Sequence, residues 1–219
     1  GTPIRKEFYK INHIKKVNDK HSLNLLIFGG SLGADFFSTH IPDVICSLDK
    51  KILKKINITH QVLSDKIKSV QSKYEANQVN ANVKSFFPDI IKHFEKANLI
   101  IARAGGSTIA EILISQTPSV IFPLRNSLDN HQEINSKLIL EKKIGWVYDE
   151  NKFKIIKLKK LLNDFIRNKN IEKKIKSNFK IVNNELSNFA KNQLPNEIIN
   201  QSIINILNSK SSIKDDFKI

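Results

Sequence analysis

The chain has 219 residues, 40% of them hydrophobic and 26% charged, which is enough apolar material for one sizeable core and excludes a chain that is disordered throughout. Its 36 basic and 21 acidic residues give a formal charge of +15, which admits an anionic membrane surface, nucleic acid or simple solubility. No apolar run approaches the roughly 18 residues of a spanning helix, and the single cysteine, Cys46, excludes an internal disulfide and fits a reducing compartment.

The charge is unevenly spread: residues 1–150 hold 21 basic and 15 acidic side chains, and residues 151–219 hold 15 and 6. Aromatic residues are not interleaved with arginine as in single-strand binders, and lysines far outnumber arginines. A compositional bias of the source genome therefore ranks first as the origin of the charge, a membrane surface second and nucleic acid a distant third. There is no methionine, at position 1 or elsewhere. The chain opens in mid-pattern, so the expectation is a segment of a longer protein.

Gly1-Thr2-Pro3-Ile4-Arg5 reads as a turn, because Pro3 disfavours helix at Thr2. Residues 23–28, Leu-Asn-Leu-Leu-Ile-Phe, read as a buried strand. Gly29-Gly30-Ser31-Leu32-Gly33-Ala34 follows as a glycine loop that enters a helix and lets backbone approach a phosphate. It is not G-x-G-x-x-G, and alone it is weak evidence. Cys46 reads as a small core residue on a helix. Residues 58–62 form a strand whose His60 is read as a core or loop histidine. An amphipathic helix follows over residues 64–77 and a strand over 82–86. Phe86-Phe87-Pro88-Asp89 then turns into a helix over 90–97.

The next stretch concentrates the chemistry. Residues 99–102 are a four-residue apolar strand, Arg103-Ala104-Gly105-Gly106 breaks it, and Ser107 opens a helix. Free N–H groups at such a helix start suit a phosphate, and Ser107 or Thr108 can cap the helix. Glu111 shares a helical face with both. It serves either as a partner in capping, the commoner use of this spacing, or as a carboxylate that grips a diol. Residues 119–122 are a further strand ended by Pro123, and the loop to Asn130 leads into a helix carrying His131, Gln132 and Asn135. Two successive strand–loop–helix units place both loops at one edge of a parallel sheet, where ligands of open α/β sheets bind. A last strand is read over residues 145–148 and helices over 155–166, 171–189 and 195–207, with a polar tail from 209. The acidic residues are dispersed, so no metal site is expected.

Together R-A-G-G-S-T-I-A-E, P-S-V-I-F-P and D-N-H-Q-E-I-N, preceded by F-G-G-S-L-G-A, resemble the MurG family of peptidoglycan N-acetylglucosaminyltransferases. The likeness runs in order and spacing from residue 1 to about 149. It implies an α/β fold, a Rossmann-like parallel sheet of about six strands with flanking helices, as in the C-terminal, donor-binding half of a B-type (GT-B) glycosyltransferase. It implies a hexosyltransferase that moves N-acetylglucosamine from UDP-N-acetylglucosamine to lipid I, making lipid II, at the cytoplasmic face of the bacterial inner membrane. One donor-binding domain would fill residues 1–219, with 1–6 as interdomain linker and 195–219 as terminal helix and tail. The acceptor-binding half and the catalytic base would lie upstream, and this chain alone would be inactive.

By the same resemblance Arg5 and Ser31 contact the diphosphate, and Ser107 and Thr108 the phosphate side of the helix start, with Gly29, Gly30, Gly33, Gly105 and Gly106 as phosphate-loop glycines. Phe87 lies by the uracil, whose edge main-chain atoms read, or simply packs in the core. Glu111 holds the ribose, and Gln132 and Asn135 the sugar, with His131 beside them. The chain departs from the family pattern at Leu32 and His131, where glutamine is usual, and lacks the glycine that often follows His60-Gln61. Expected partners are UDP-N-acetylglucosamine, lipid I through the upstream half and, weakly, an anionic membrane surface; no cofactor, metal or nucleic acid is expected. Two other readings stay open: another GT-B nucleotide-sugar transferase or an epimerase, and a basic non-catalytic binding domain.

Overall fold

The computed structural model of the chain describes Arg5, Glu7, Phe8, Ile11 and residues 22–30, 34–124 and 130–189. Six parallel strands form one sheet: β1 (Leu23–Phe28), β2 (Ile56–Gln61), β3 (Asn80–Lys84), β4 (Leu99–Ala102), β5 (Ser119–Ile121) and β6 (Gly145–Val147). The strand order is β3-β2-β1-β4-β5-β6. Between and after them run α1 (Ala34–Cys46), α2 (Lys50–Leu53), α3 (Ile67–Ala76), α4 (Ile90–Lys96), α5 (Gly106–Ser115), α6 (His131–Glu141), α7 (Ile155–Arg167) and α8 (Lys169–Phe189). The expected helix over 195–207, like Ser31, Leu32 and Gly33, lies outside the described residues.

The central strands β1, β4 and β5 are apolar and buried along almost their whole length, because both faces of the sheet are covered there. On β1, Leu23, Leu25 and Ile27 join one buried cluster, with Phe37 and Ile41 of α1, Val70 and Tyr74 of α3, and Leu158, Leu162 and Phe165 of α7. Leu26 and Phe28 point to the other face and meet Phe94 of α4, Ile109 and Ile112 of α5, Ile139 of α6 and Phe179 of α8. Alternation along the strand feeds two cores at once.

Both β2 and β3 begin two residues before the apolar runs that announce them. Asn24, Asn57 and Asn80 pair in register across three strands. The Asn80 amide donates to Asn57 Oδ1 at 2.7 Å, and the Asn57 amide to Asn24 Oδ1 at 3.1 Å. This ladder of side-chain amides extends the sheet where hydrophobicity gives no signal.

The order places β1 beside β4, with Phe28 opposite Ala102. Chain connections diverge from that pair, β1 leading outward to β2 and β4 to β5, so a crevice opens above their carboxyl ends. The two glycine turns stand side by side there.

Candidate functional site

Beyond β1, Gly29 is buried and Gly30 is exposed. Gly30 has φ +67°, and a Cβ built on it would meet nothing within 4 Å. Backbone conformation, rather than crowding, demands glycine here. Beyond β4, Gly105 is the N-cap of α5, which starts at Gly106. The helix thus begins one residue before Ser107. Ser107 and Thr108 lie within its first turn, and the N-cap residue, a glycine, offers no side-chain cap. The open backbone donors of that turn remain suited to an anion.

A cleft of about 180 Å³ is lined by Phe28, Gly29, Gly30, Arg103, Gly105, Thr108 and Gln132. It joins both glycine turns and α6, so the two strand–loop–helix units converge as their order requires. Larger clefts of about 410 and 300 Å³ lie elsewhere, one at the amino end of β1 and one beside α2, with several lysines in their walls. Volume does not single out the site; convergence of glycine turns and a helix start does.

Gln132 Oε1 accepts from Leu124 N at 2.9 Å, and Asn135 Nδ2 donates to Ala104 O at 2.9 Å. These bonds tie α6 to the ends of β5 and β4, placing both amides at the crevice. His131 and Ser107 are exposed and Thr108 is half-buried. Phe87 lies 4% exposed in the core, its ring edge-on to His93 at 5.0 Å. Its side chain serves packing, while its backbone belongs to the turn beyond β3. The neighbouring Phe86 is 68% exposed.

Glu111, one turn along α5 from Thr108, is buried. Its partner is tertiary: Arg5 Nε and Nη2 donate to Oε1 at 3.1 and 2.7 Å. Burial pushes the Glu111 carboxyl above the ordinary carboxylate value, and the Arg5 hydrogen bonds and charge oppose that rise. The helix-start residues do not take Glu111 as a capping partner. Arg5 and Glu111, assigned to different parts of a ligand by the resemblance, meet each other in the structure.

Sequence reading gave no role to Arg103, although it belongs to the motif. Its guanidinium is buried against the rings of Phe36 and Phe37, donates to Phe122 O at 3.3 Å and pairs with Glu150. It forms part of the cleft wall. The available signal was its position, immediately beyond β4. Among the described residues no group of three His, Cys, Asp or Glu side chains is arranged to hold a metal ion. No described helix is long and apolar enough to cross a membrane.

A doubly wound parallel sheet with two glycine turns and a helix start at its switch point defines an α/β domain whose ligand crevice lies beyond the carboxyl ends of β1 and β4. The chain belongs to the glycosyltransferase family 28 C-terminal domain family, whose model matches residues 24–193. It is 36% identical over 173 residues to the UDP-N-acetylglucosamine–N-acetylmuramyl-(pentapeptide) pyrophosphoryl-undecaprenol N-acetylglucosamine transferase of Rickettsia typhi, covering 74% of this chain and 43% of the relative. The Rickettsia bellii protein of the same name is 32% identical over 195 residues, with coverages of 84% and 55%. The chain thus spans about half the length of these curated relatives. Among solved structures, MurG of Acinetobacter baumannii superposes with a TM-score of 0.64 at 25% identity, over 74% of this chain and 48% of that one. The C-terminal domain of a group 1 glycosyl transferase (LpcC) from Francisella tularensis shares the fold, with a TM-score of 0.55 at 12% identity over 78% of this chain and 93% of that one.

Proposed function

We propose that this chain is the donor-binding half of an N-acetylglucosaminyltransferase. It holds UDP-N-acetylglucosamine for transfer to lipid I, as the names of its relatives suggest. The observation that carries the reading is the convergence of the β1 and β4 glycine turns with Thr108 and Gln132 on one cleft, with Glu111 one turn further along α5. In this reading the α5 start receives the diphosphate, Glu111 the ribose hydroxyls, and Gln132 and Asn135 the sugar. His131 stands at the rim. The turn through Phe87 offers main-chain groups to the base, and Gly29, Gly30, Gly105 and Gly106 allow the phosphates close approach. Ser31 and Gly33 follow Gly30 in sequence and lie outside the described residues. The α5 N-terminus and Arg5 can stabilise the departing UDP. Acceptor recognition and the catalytic base are assigned to a partner half of the full protein.

Calorimetric titration with UDP and UDP-N-acetylglucosamine tests the reading. Both ligands should bind, and Glu111→Ala should weaken each by about ten- to a hundredfold. That range corresponds to net losses of about 1.5–3 kcal/mol, the worth of a hydrogen bond to a charged group. Equal affinity in the two proteins would remove Glu111 from the site. Tighter binding of a different nucleotide sugar would reassign the donor within the same fold.

A further inference from the structure

Arg5 and Glu111 are 106 positions apart, and their contact joins the segment before β1 to the middle of α5. The Arg5 side chain is 49% exposed and that of Glu111 only 7%. Both guanidinium donors converge on a single carboxylate oxygen, Oε1. The guanidinium also lies 5.0 Å from the ring of Phe8. A carboxylate that grips a vicinal diol uses one oxygen for each hydroxyl. In the observed arrangement one of the two is already taken.

A guanidinium matches a diphosphate at least as well as a carboxylate, through paired charged hydrogen bonds. Resting on the reading of this crevice as a nucleoside diphosphate site, we infer that Arg5 exchanges partners when ligand binds. Paired with Glu111, it compensates the buried carboxylate. An arriving diphosphate draws the half-exposed guanidinium away and leaves both carboxylate oxygens to the ribose. Arg5 is thereby a positioning and specificity residue that couples recognition of the diphosphate to recognition of the ribose. A nucleoside without phosphates must displace the guanidinium while offering it no other anion, so the site discriminates against it.

The exchange predicts opposite signs for two ligands. Uridine and UDP are titrated into the full 219-residue chain as wild type, Arg5→Ala, Arg5→Gln and Arg5→Lys, all at the same pH. Arg5→Ala should bind uridine about threefold tighter, because a half-exposed pair no longer competes. It should bind UDP about tenfold weaker or more. Arg5→Lys keeps the charge without the paired donors and should recover part of the UDP affinity. A thermal melt of each variant reports folding, and Arg5→Gln, closest in shape, carries the comparison if Arg5→Ala is unfolded. Uridine binding that is unchanged or weakened in a folded variant would overturn the exchange and leave Arg5 as a strut. Wild-type protein that binds no UDP would overturn the nucleotide reading itself, and the exchange with it.

Discussion

His60 is fully buried in β2, and its Nδ1 lies 2.9 Å from the Tyr74 hydroxyl of α3. Burial disfavours the imidazolium so strongly that its pKa falls from 6.5 to about 3. A base with a lowered folded pKa stays neutral in the native state while the unfolded chain takes up a proton. Its stabilising contribution is complete above pH 6.5 and is lost as the pH falls from there toward about 3. By about pH 4 this one residue should remove about 3 kcal/mol. His60→Gln, which keeps a polar partner for Tyr74 and cannot titrate, should flatten the acid side of the stability profile measured by urea unfolding. An unchanged slope would place the acid sensitivity elsewhere. The sequence indicated a core or loop histidine at this position. It gave no hint of the Tyr74 contact, which depends on how α3 packs over β2.

The edge pairing of β5 with β6 rests on the lack of a side chain at Gly145. A Cβ there would lie 2.2 Å from the Ser119 carbonyl oxygen, 2.9 Å from Ser119 Oγ and 3.0 Å from Ile139 Cγ2. The nearest obstacle is backbone, so the strand itself must move. Gly145→Ala should cost about 3 kcal/mol, near the top of the range for overpacking, as read by chemical denaturation. A loss below about 0.5 kcal/mol would show that β6 adjusts freely at this edge. The central strands β1, β4 and β5 could be read as short apolar runs, since a parallel sheet covered on both faces leaves that imprint. The asparagine ladder left none, so β2 and β3 were placed two residues late. The helix pattern was legible from 3.6-residue periodicity. The four-residue α2, too short to show a period, was not. The candidate site was legible where local chain chemistry makes it: the glycine turns, the α5 start, and the amides of α6. The Arg5–Glu111 and Arg103–Glu150 pairs each join segments far apart in sequence, and no local pattern encodes them.

At the scale of the whole molecule the two ends of the sheet differ in chemistry. The carboxyl ends of β1 and β4 carry the glycine-lined crevice. At the amino end of β1 a cleft of about 410 Å³ is walled by Lys51, Lys55, Arg167 and Lys169, together with Ser22, Leu23, Ile52 and Ile166. Lys50 and Lys54 line the neighbouring cleft beside α2. Of these cations Arg167 is paired, with Asp49 at 2.6 Å, and Lys169 lies 3.9 Å from Glu172. Two lysine-lined clefts therefore lie away from the glycine-lined crevice. Exposed lysines attract anionic lipid by roughly 1 kcal/mol each within a Debye length of the surface, and an apolar anchor would be needed for binding that survives salt. The chain should adsorb weakly to vesicles containing phosphatidylserine at low salt and be released at about 0.5 M salt, where the Debye length is only about half its physiological value. Saturating UDP should leave adsorption unchanged, because the two surfaces lie at opposite ends of β1. Sedimentation with vesicles, with and without UDP, measures both effects. Tight binding to neutral vesicles at high salt would mean that an apolar surface governs the contact, and competition by UDP would place the lipid contact at the crevice itself.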